Sequence, residues 1–318
     1  MTARSTLLLI VPANNNKHIE MWTAPLAEMA PDLIVKVHGR DDYDPKSIDY
    51  ALTFRPPAGL LATFPNLRVV FSLGAGVEAI IADQDYPRHV PLTRFVDHTL
   101  SRDMAQYCVM QTLIHYRRQR AFDALQRQHK WRQNYLTRPA NETRVGILGL
   151  GEIGTVIAEK LRDLDFAMAG WSRTAKSVRG VESFAGSDQL QPFLARSDIV
   201  ICVLPLTPDT RHILNRTTFA MLPKEAFVIN VARGGHINEE DLIAALDSGH
   251  LSGAALDVFE TEPLPENSPI WDHPKIAVTP HIAAISDPRA MAKVAVDGIV
   301  AYESGRPLEN VVDFARGY

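Results

Sequence analysis

The chain has 318 residues, 46% of them hydrophobic, and a formal net charge of −4. That is length enough for a large buried core and for more than one domain. Charges of both signs are scattered along it, and without a basic run neither nucleic acid nor a membrane surface is expected as a partner.

The first apolar run, Leu7 to Val11, is too short to span a bilayer and lacks a signal-peptide cleavage site, so no anchor or leader is expected. It is the first of four predicted strands, "TLLLIV", "DLIVKV", "YALTF" and "RVVFSLG". "HIEMWTAPLAEMA" and "PPAGLLATF" are read as helices between them. Such alternation predicts a parallel sheet covered on both faces. The fourth strand stops at Leu73, and Gly74-Ala75-Gly76 then opens a helix. Backbone N–H groups exposed at that turn would suit a small carboxylate.

A long helix is expected from Leu100 to Gln128, with Met104, Tyr107, Cys108, Leu113 and Ile114 as its apolar positions. The polar segment "RQNYLTRPANE" leads from it into a second alternation. Its strands are "VGILGL", "AMAGWS", "IVICVLP", "AFVINVA", "GAALDVF" and "IAVTP". The helix "NEEDLIAALDSG" has an Asn N-cap, acids in its first turn and a glycine after its end. One more helix, "DPRAMAKVAVDGIVAYES", follows His281 and is expected to return to the first domain. The predicted architecture is a doubly wound α/β domain over 99–283, inserted into a smaller α/β domain made of 1–98 and 284–318. Cys108 and Cys202 fall in apolar segments, so they are expected as buried free thiols, which fits a reducing cytoplasm.

"GLGEIG", Gly149 to Gly154, has G-x-G-x-x-G spacing directly after a strand and before a helix. Gly149 would make the tight turn, Gly151 would admit a pyrophosphate, and Gly154 would let helix and strand pack closely. An acid that binds the ribose 2′-hydroxyl belongs about 20 residues further on. Ser172 stands there instead, followed by Arg173 and, three residues later, Lys176. Serine does not repel a 2′-phosphate and arginine pairs with one, so NADP(H) is the expected cofactor, with NAD(H) the weaker alternative.

Three residues lie just beyond later strands, where an open α/β sheet binds its ligands. They are Arg233 in "INVARGG", Glu262 in "LDVFETEPLP" and His281 in "VTPHIAAI". Such a set suits reduction of a carbonyl by hydride. The arginine would hold a substrate carboxylate, the histidine would exchange the proton, and the acid would orient the imidazole. No metal site is expected.

With these motifs in order, the chain resembles the D-isomer-specific 2-hydroxyacid dehydrogenase family over nearly its whole length. "GLGEIG", "LPLTPDTRHILN", "VINVARGGHINEEDLIAALDSGHLSGAALDVFETEPLP" and "TPHIAA" carry the likeness. "SLGAGVE", "WSRT", "SPIWDHPKIAVTPHIAA" and the final "ARGY" look most like the family's glyoxylate/hydroxypyruvate reductases. The resemblance implies a Rossmann-type cofactor domain in a flavodoxin-like substrate domain, with NADPH-dependent reduction of glyoxylate to glycolate and hydroxypyruvate to glycerate. By position it makes Arg233 the substrate anchor, His281 the proton donor, and Glu262 its partner in preference to nearby Glu260. It implies cofactor contacts from Gly151, Glu152, Ile153, Leu204 and Pro205, with Val231 and Asp257 along the nicotinamide. Leu73, Gly74, Ala75 and Gly76 would join Arg233 and His281 at the substrate. Gln106 stands where many relatives have Glu, and Arg55 holds a variable pocket-edge position. Relatives pair through their cofactor domains, so a homodimer is expected, with "HKWRQNYL", which contains Trp131 and Tyr135, as an arm to the partner. Two other readings stay open: a dehydrogenase for another 2-keto acid such as pyruvate or phenylpyruvate, and a dinucleotide-sensing protein without turnover.

Overall fold

A computed structural model of the chain describes residues 4–11, 16–96, 98–133, 138–285 and 287–315. Tyr135 and the end of "ARGY" lie outside the described residues. The chain divides into two compact units, Met1–Thr99 with Ser286–Tyr318, and Leu100–Ile285.

The first unit holds β1 (Thr6–Ile10), α1 (Asn16–Met29), β2 (Ile34–Val37), β3 (Tyr50–Thr53), β4 (Val69–Ser72), α2 (Glu78–Ile81) and β5 (Leu92–Thr93). Its five strands are all parallel, in the order β2-β1-β3-β4-β5. Every residue of β1, β3 and β4 is buried, as a sheet covered on both faces requires. Leu8, Ile10, Ala51, Val70 and Leu92 share one core with Phe64 and Val77.

The second unit begins within α3 (His98–Tyr116), which α4 (Gln119–Arg127) follows. Next come β6 (Arg144–Leu148), α5 (Glu152–Arg162), β7 (Ala167–Ser172), β8 (Val181–Ala185), α6 (Leu190–Ala195) and β9 (Ile199–Cys202). The unit ends with α7 (Arg216–Met221), β10 (Ala226–Asn230), α8 (Glu239–Asp247), β11 (Leu251–Leu256) and β12 (Ile276–Val278). All seven strands are parallel, in the order β12-β11-β10-β9-β6-β7-β8. The chain builds outward from β6 to β8, then returns to lay β9 beside β6. That reversal opens a crevice beyond the strand ends, the place where such sheets bind dinucleotides. Alternate residues of β9 face opposite cores: Ile199 and Ile201 one, Val200 and Cys202 the other. Cys108 belongs with the first set, so the two free thiols lie on opposite faces of the sheet. Burial pushes the Cys202 thiol up to about 12 and that of Cys108 higher still. After this unit α9 (Pro288–Glu303), capped by the Asp287 carboxylate, packs along α1 of the first unit.

The structure corrects three sequence expectations. "PPAGLLATF" is no α-helix: after two prolines Gly59 takes φ +75°, and only a 3-10 turn, Leu61–Thr63, follows. The long helix breaks at Arg118, which is left-handed at φ +55°. Four consecutive polar residues, Arg117 to Arg120, leave no apolar anchor there, and no residue of α4 beyond them is fully buried. The helix after Gly74-Ala75-Gly76 is one turn only and begins at Glu78, because buried Val77 sits at φ −124°, outside the helical region. Two strands, β5 and β8, also escaped the sequence pattern. Among the described residues no helix is long and apolar enough to cross a membrane.

Candidate active site

The glycine loop lies at the reversal of the second sheet. Gly149 leaves β6 at φ +109°, and its N–H donates to the Trp171 carbonyl at 2.8 Å. A Cβ there would lie 3.0 Å from the Val203 carbonyl, so the loops after β6 and β9 touch. A Cβ on Gly154 would meet the Gly149 carbonyl at 1.8 Å, which only glycine avoids. Gly151 caps α5 in an extended conformation, and a Cβ on it would have nothing within 4 Å. The cradle in front of α5 is therefore open and faced by the positive end of a helix. Glu152 is exposed, Ile153 half-buried, Leu204 buried and Pro205 exposed along its rim. Val231 is buried in the core, its N–H donating to the Cys202 carbonyl at 3.3 Å.

At the end of β7 the Ser172 hydroxyl is buried and donates to the Thr174 carbonyl at 2.8 Å. Arg173 and Lys176 beside it are exposed, and the Lys176 N–H donates to Ser183 Oγ at 3.2 Å. The strand ends on a serine rather than a carboxylate, which leaves its end without the charge that would repel a phosphate on the adenosine ribose. The donors and the open cradle fit a phosphorylated dinucleotide.

The other three residues come from the neighbouring strands β10, β11 and β12. Arg233 is half-buried three residues beyond β10, its Nη1 donating to the Ala232 carbonyl at 2.6 Å. Its N–H donates to Nδ1 of fully buried His236, whose Nε2 faces the Pro205 carbonyl at 3.2 Å. His236 thus ties the arginine loop to the loop after β9, a role that sequence reasoning missed. A Cβ on Gly234 would meet the Phe259 backbone at 1.8 Å, so the loops after β10 and β11 also pack directly.

His281 Nδ1 lies 2.9 Å from Glu262 Oε2, with the imidazole 36% exposed and the carboxylate side chain 19%. Glu262 Oε1 accepts the Phe259 N–H at 3.1 Å, which fixes the acid in place. Glu260 turns elsewhere, to Arg211 at 2.6 Å and His212 at 3.0 Å. A carboxylate can only accept, so Nδ1 carries a hydrogen and Nε2 is left as the end that exchanges a proton. Asp257 is 1% exposed, and its carboxylate accepts from Thr279 Oγ1, the Ile282 N–H and the Ala283 N–H. Its first use is to hold the loop around His281.

In the first unit, Leu73 is buried and Gly74 to Gly76 are half-buried beyond β4. The Gly74 N–H is already taken by Ser72 Oγ at 3.2 Å, so it is not among the exposed donors the sequence suggested. Arg55 is exposed at φ +49°, with its guanidinium carbon 5.3 Å from the Phe54 ring centre. Gln106 points to solvent, while its neighbour Tyr107 is buried. Trp131 is 89% exposed and lines a surface groove with Phe122, Leu125 and His129.

Residues 109–283 match the family model of the D-isomer specific 2-hydroxyacid dehydrogenase, NAD binding domain. The chain belongs to that family. The dehydrogenase is 41% identical over 304 residues to glyoxylate/hydroxypyruvate reductase A of Serratia proteamaculans, covering 94% of this chain and 96% of that one. It is similar in structure to a D-isomer specific 2-hydroxyacid dehydrogenase of Xanthobacter autotrophicus solved with NADPH and MES. There the TM-score is 0.92 at 43% identity, with 99% of this chain and 100% of that one covered. An NADPH-dependent glyoxylate/hydroxypyruvate reductase of Sinorhizobium meliloti, solved with NADP and sulfate, also gives a TM-score of 0.92, at 40% identity and the same coverage.

Proposed function

We propose that the dehydrogenase reduces small 2-keto acids with NADPH, taking glyoxylate to glycolate and hydroxypyruvate to D-glycerate. The contact between His281 Nδ1 and Glu262 Oε2 carries this reading, because it leaves Nε2 as a positioned proton donor. NADPH, when bound, supplies the hydride to C2. His281 gives its proton to the oxygen that was the carbonyl, Glu262 steadies the imidazolium, and Arg233 holds the carboxylate and polarises the carbonyl. Gly149, Gly151, Glu152, Ile153 and Gly154 hold the pyrophosphate. Ser172, Arg173 and Lys176 accept the 2′-phosphate, and Leu204, Pro205, Val231 and Asp257 border the remainder. The unit Leu100–Ile285 forms the cofactor domain, and Met1–Thr99 with Ser286–Tyr318 the substrate domain, in which Leu73, Gly74, Ala75, Gly76 and Arg55 serve the substrate.

The protein acts as a homodimer in a reducing cytoplasm. Support for the pair comes from α4, none of whose residues is fully buried, and from exposed Phe122 on it and Trp131 just beyond it. Light scattering that showed a monomer at micromolar concentration would remove the dimer.

The test is NADPH oxidation with glyoxylate, hydroxypyruvate, pyruvate and phenylpyruvate, in wild type and His281→Ala. Turnover is expected with the first two and about 10²–10⁴-fold less kcat in the variant, with NADPH affinity unchanged. No turnover with any 2-keto acid would favour a dinucleotide sensor, and preference for the last two a different dehydrogenase.

A further inference from the structure

The Tyr107 hydroxyl, buried on α3, lies 2.6 Å from Thr279 Oγ1, and Thr279 Oγ1 lies 2.6 Å from Asp257 Oδ1. Chemistry sets the direction of this chain of bonds. The Asp257 carboxylate also takes the N–H groups of Ile282 and Ala283, each at 2.9 Å, and can only accept. Thr279 therefore donates to Asp257, and its oxygen accepts the Tyr107 proton. Burial holds the phenol above its ordinary range, the Thr279 bond working the other way, so Tyr107 keeps a proton to donate.

The bonds end on the backbone that carries His281. That residue is left-handed at φ +55°, and its N–H donates to the Asp257 carbonyl at 2.8 Å. Such a conformation is uncommon for a residue with a side chain and persists where neighbours over-determine it. Asp257 does so from both ends, its carbonyl holding His281 and its carboxylate the next two residues. Tyr107 and Thr279 in turn hold Asp257. The second unit begins at Leu100, inside α3, and ends at Ile285, four residues after His281. The Tyr107–Thr279 bond thus joins the segments by which the chain enters and leaves that unit.

We propose that Tyr107 is a positioning residue for His281, its hydroxyl acting through Thr279 and Asp257 to fix the backbone from which the imidazole meets Glu262. The proposal rests on His281 as the proton donor. Tyr107→Phe keeps the ring and loses only the hydroxyl. It should lower kcat roughly threefold to tenfold, about the value of one hydrogen bond, while NADPH affinity stays unchanged. Thr279→Ser should stay near wild type and Thr279→Val should fall at least as far as Tyr107→Phe. The double variant should be no worse than Thr279→Val alone, since both act on one path. In cofactor-free protein the His281 ring signals in a 1H–15N spectrum should move or broaden in Tyr107→Phe. Tyr86→Phe is the control: that buried phenol donates to the Val90 carbonyl in the other unit, and its loss should cost stability but not kcat. Wild-type kcat and an unmoved His281 signal in Tyr107→Phe would overturn the proposal, as would equal kcat losses in Tyr107→Phe and Tyr86→Phe. If His281→Ala kept full turnover, the proton-donor reading itself would fail. If His281→Ala were dead and Tyr107→Phe normal, only the positioning role would.

Discussion

Two turns in this molecule share a sequence form. "GLGEIG" leaves β6 and "SLGAGVE" leaves β4, each a strand running into glycines at the carboxyl edge of a parallel sheet. Physically they differ. The first opens an 11-residue helix and leaves Gly151 with empty space before it. The second leads to a helix of four residues, and its first N–H is spent on Ser72. A Cβ on Gly74 would meet the Phe54 ring at 3.6 Å, in ordinary contact. Helix length and donor availability, not glycine spacing, separate a phosphate cradle from a tight turn.

The sharpest way to break the comparison is Gly154→Ala. Its methyl would fall 1.8 Å from a backbone carbonyl that cannot yield without moving the Gly149 turn. A loss of at least about 3 kcal/mol in chemical unfolding is expected, with NADPH binding gone. Wild-type stability would mean that the loop is not built as described.

Acid should also weigh more on the second unit than on the first. His115, in the second unit, is stacked on Phe227 at 4.0 Å, and burial first, with Arg118 and Arg120 after it, lowers its pKa to about 4. Between about 4 and its ordinary 6.5 the unfolded chain binds a proton that the folded chain does not. Stability is therefore full above 6.5 and falls as the pH drops through this window, by up to about 3 kcal/mol. Asp198 titrates lower: burial raises it, but the bonds from Arg144 outweigh that. His115→Phe should flatten the pH dependence of Tm of the second unit, and an unchanged slope would move the acid sensitivity to another group.

Cofactor affinity gives the next, smaller effects. Gly151→Ala meets no atom and should leave Tm nearly unchanged, yet raise the NADPH Kd about tenfold or more by filling the cradle. Arg173→Ala should cost about tenfold in kcat/KM with NADPH and little with NADH, the value of a charge-assisted pair. Equal losses with both cofactors would separate Arg173 from the 2′-phosphate.

What was legible in the sequence follows from burial. β1, β3, β4, β6, β9 and β10 are largely apolar runs, with at most a polar residue at an end, because both faces of each sheet are covered, and the pattern finds them. β8 is an edge strand with one neighbour and two exposed positions, so "VESFA" carries no such signal. The break at Arg118 hides among good helix formers. His281 stood out by its place after a strand, but preferring Glu262 to Glu260 needed family likeness, because the 2.9 Å approach of His281 to Glu262 joins loops that no local spacing connects. Tyr107 and Thr279 meet across 172 positions, and no local spacing announces a bond of that range.

The smallest effect expected is the one that tests the weaker turn. Gly74→Ala places a methyl 3.5 Å from the Gly76 carbonyl and 3.6 Å from the Phe54 ring, without a positive φ to strain. The fold should accept it, and Tm should hold within about 1 °C, since methyl contacts at that distance gain as much dispersion as they crowd. Kinetics then isolate the function of the turn. If the remaining N–H groups near Gly74 hold the substrate, KM for glyoxylate should rise about twofold to fivefold with NADPH Kd unchanged, because the methyl narrows the approach without removing a donor. A rise in NADPH Kd would place the turn on the cofactor instead. Unchanged constants throughout would leave it a strand-to-helix connection, and the substrate carboxylate would then depend on Arg233 alone.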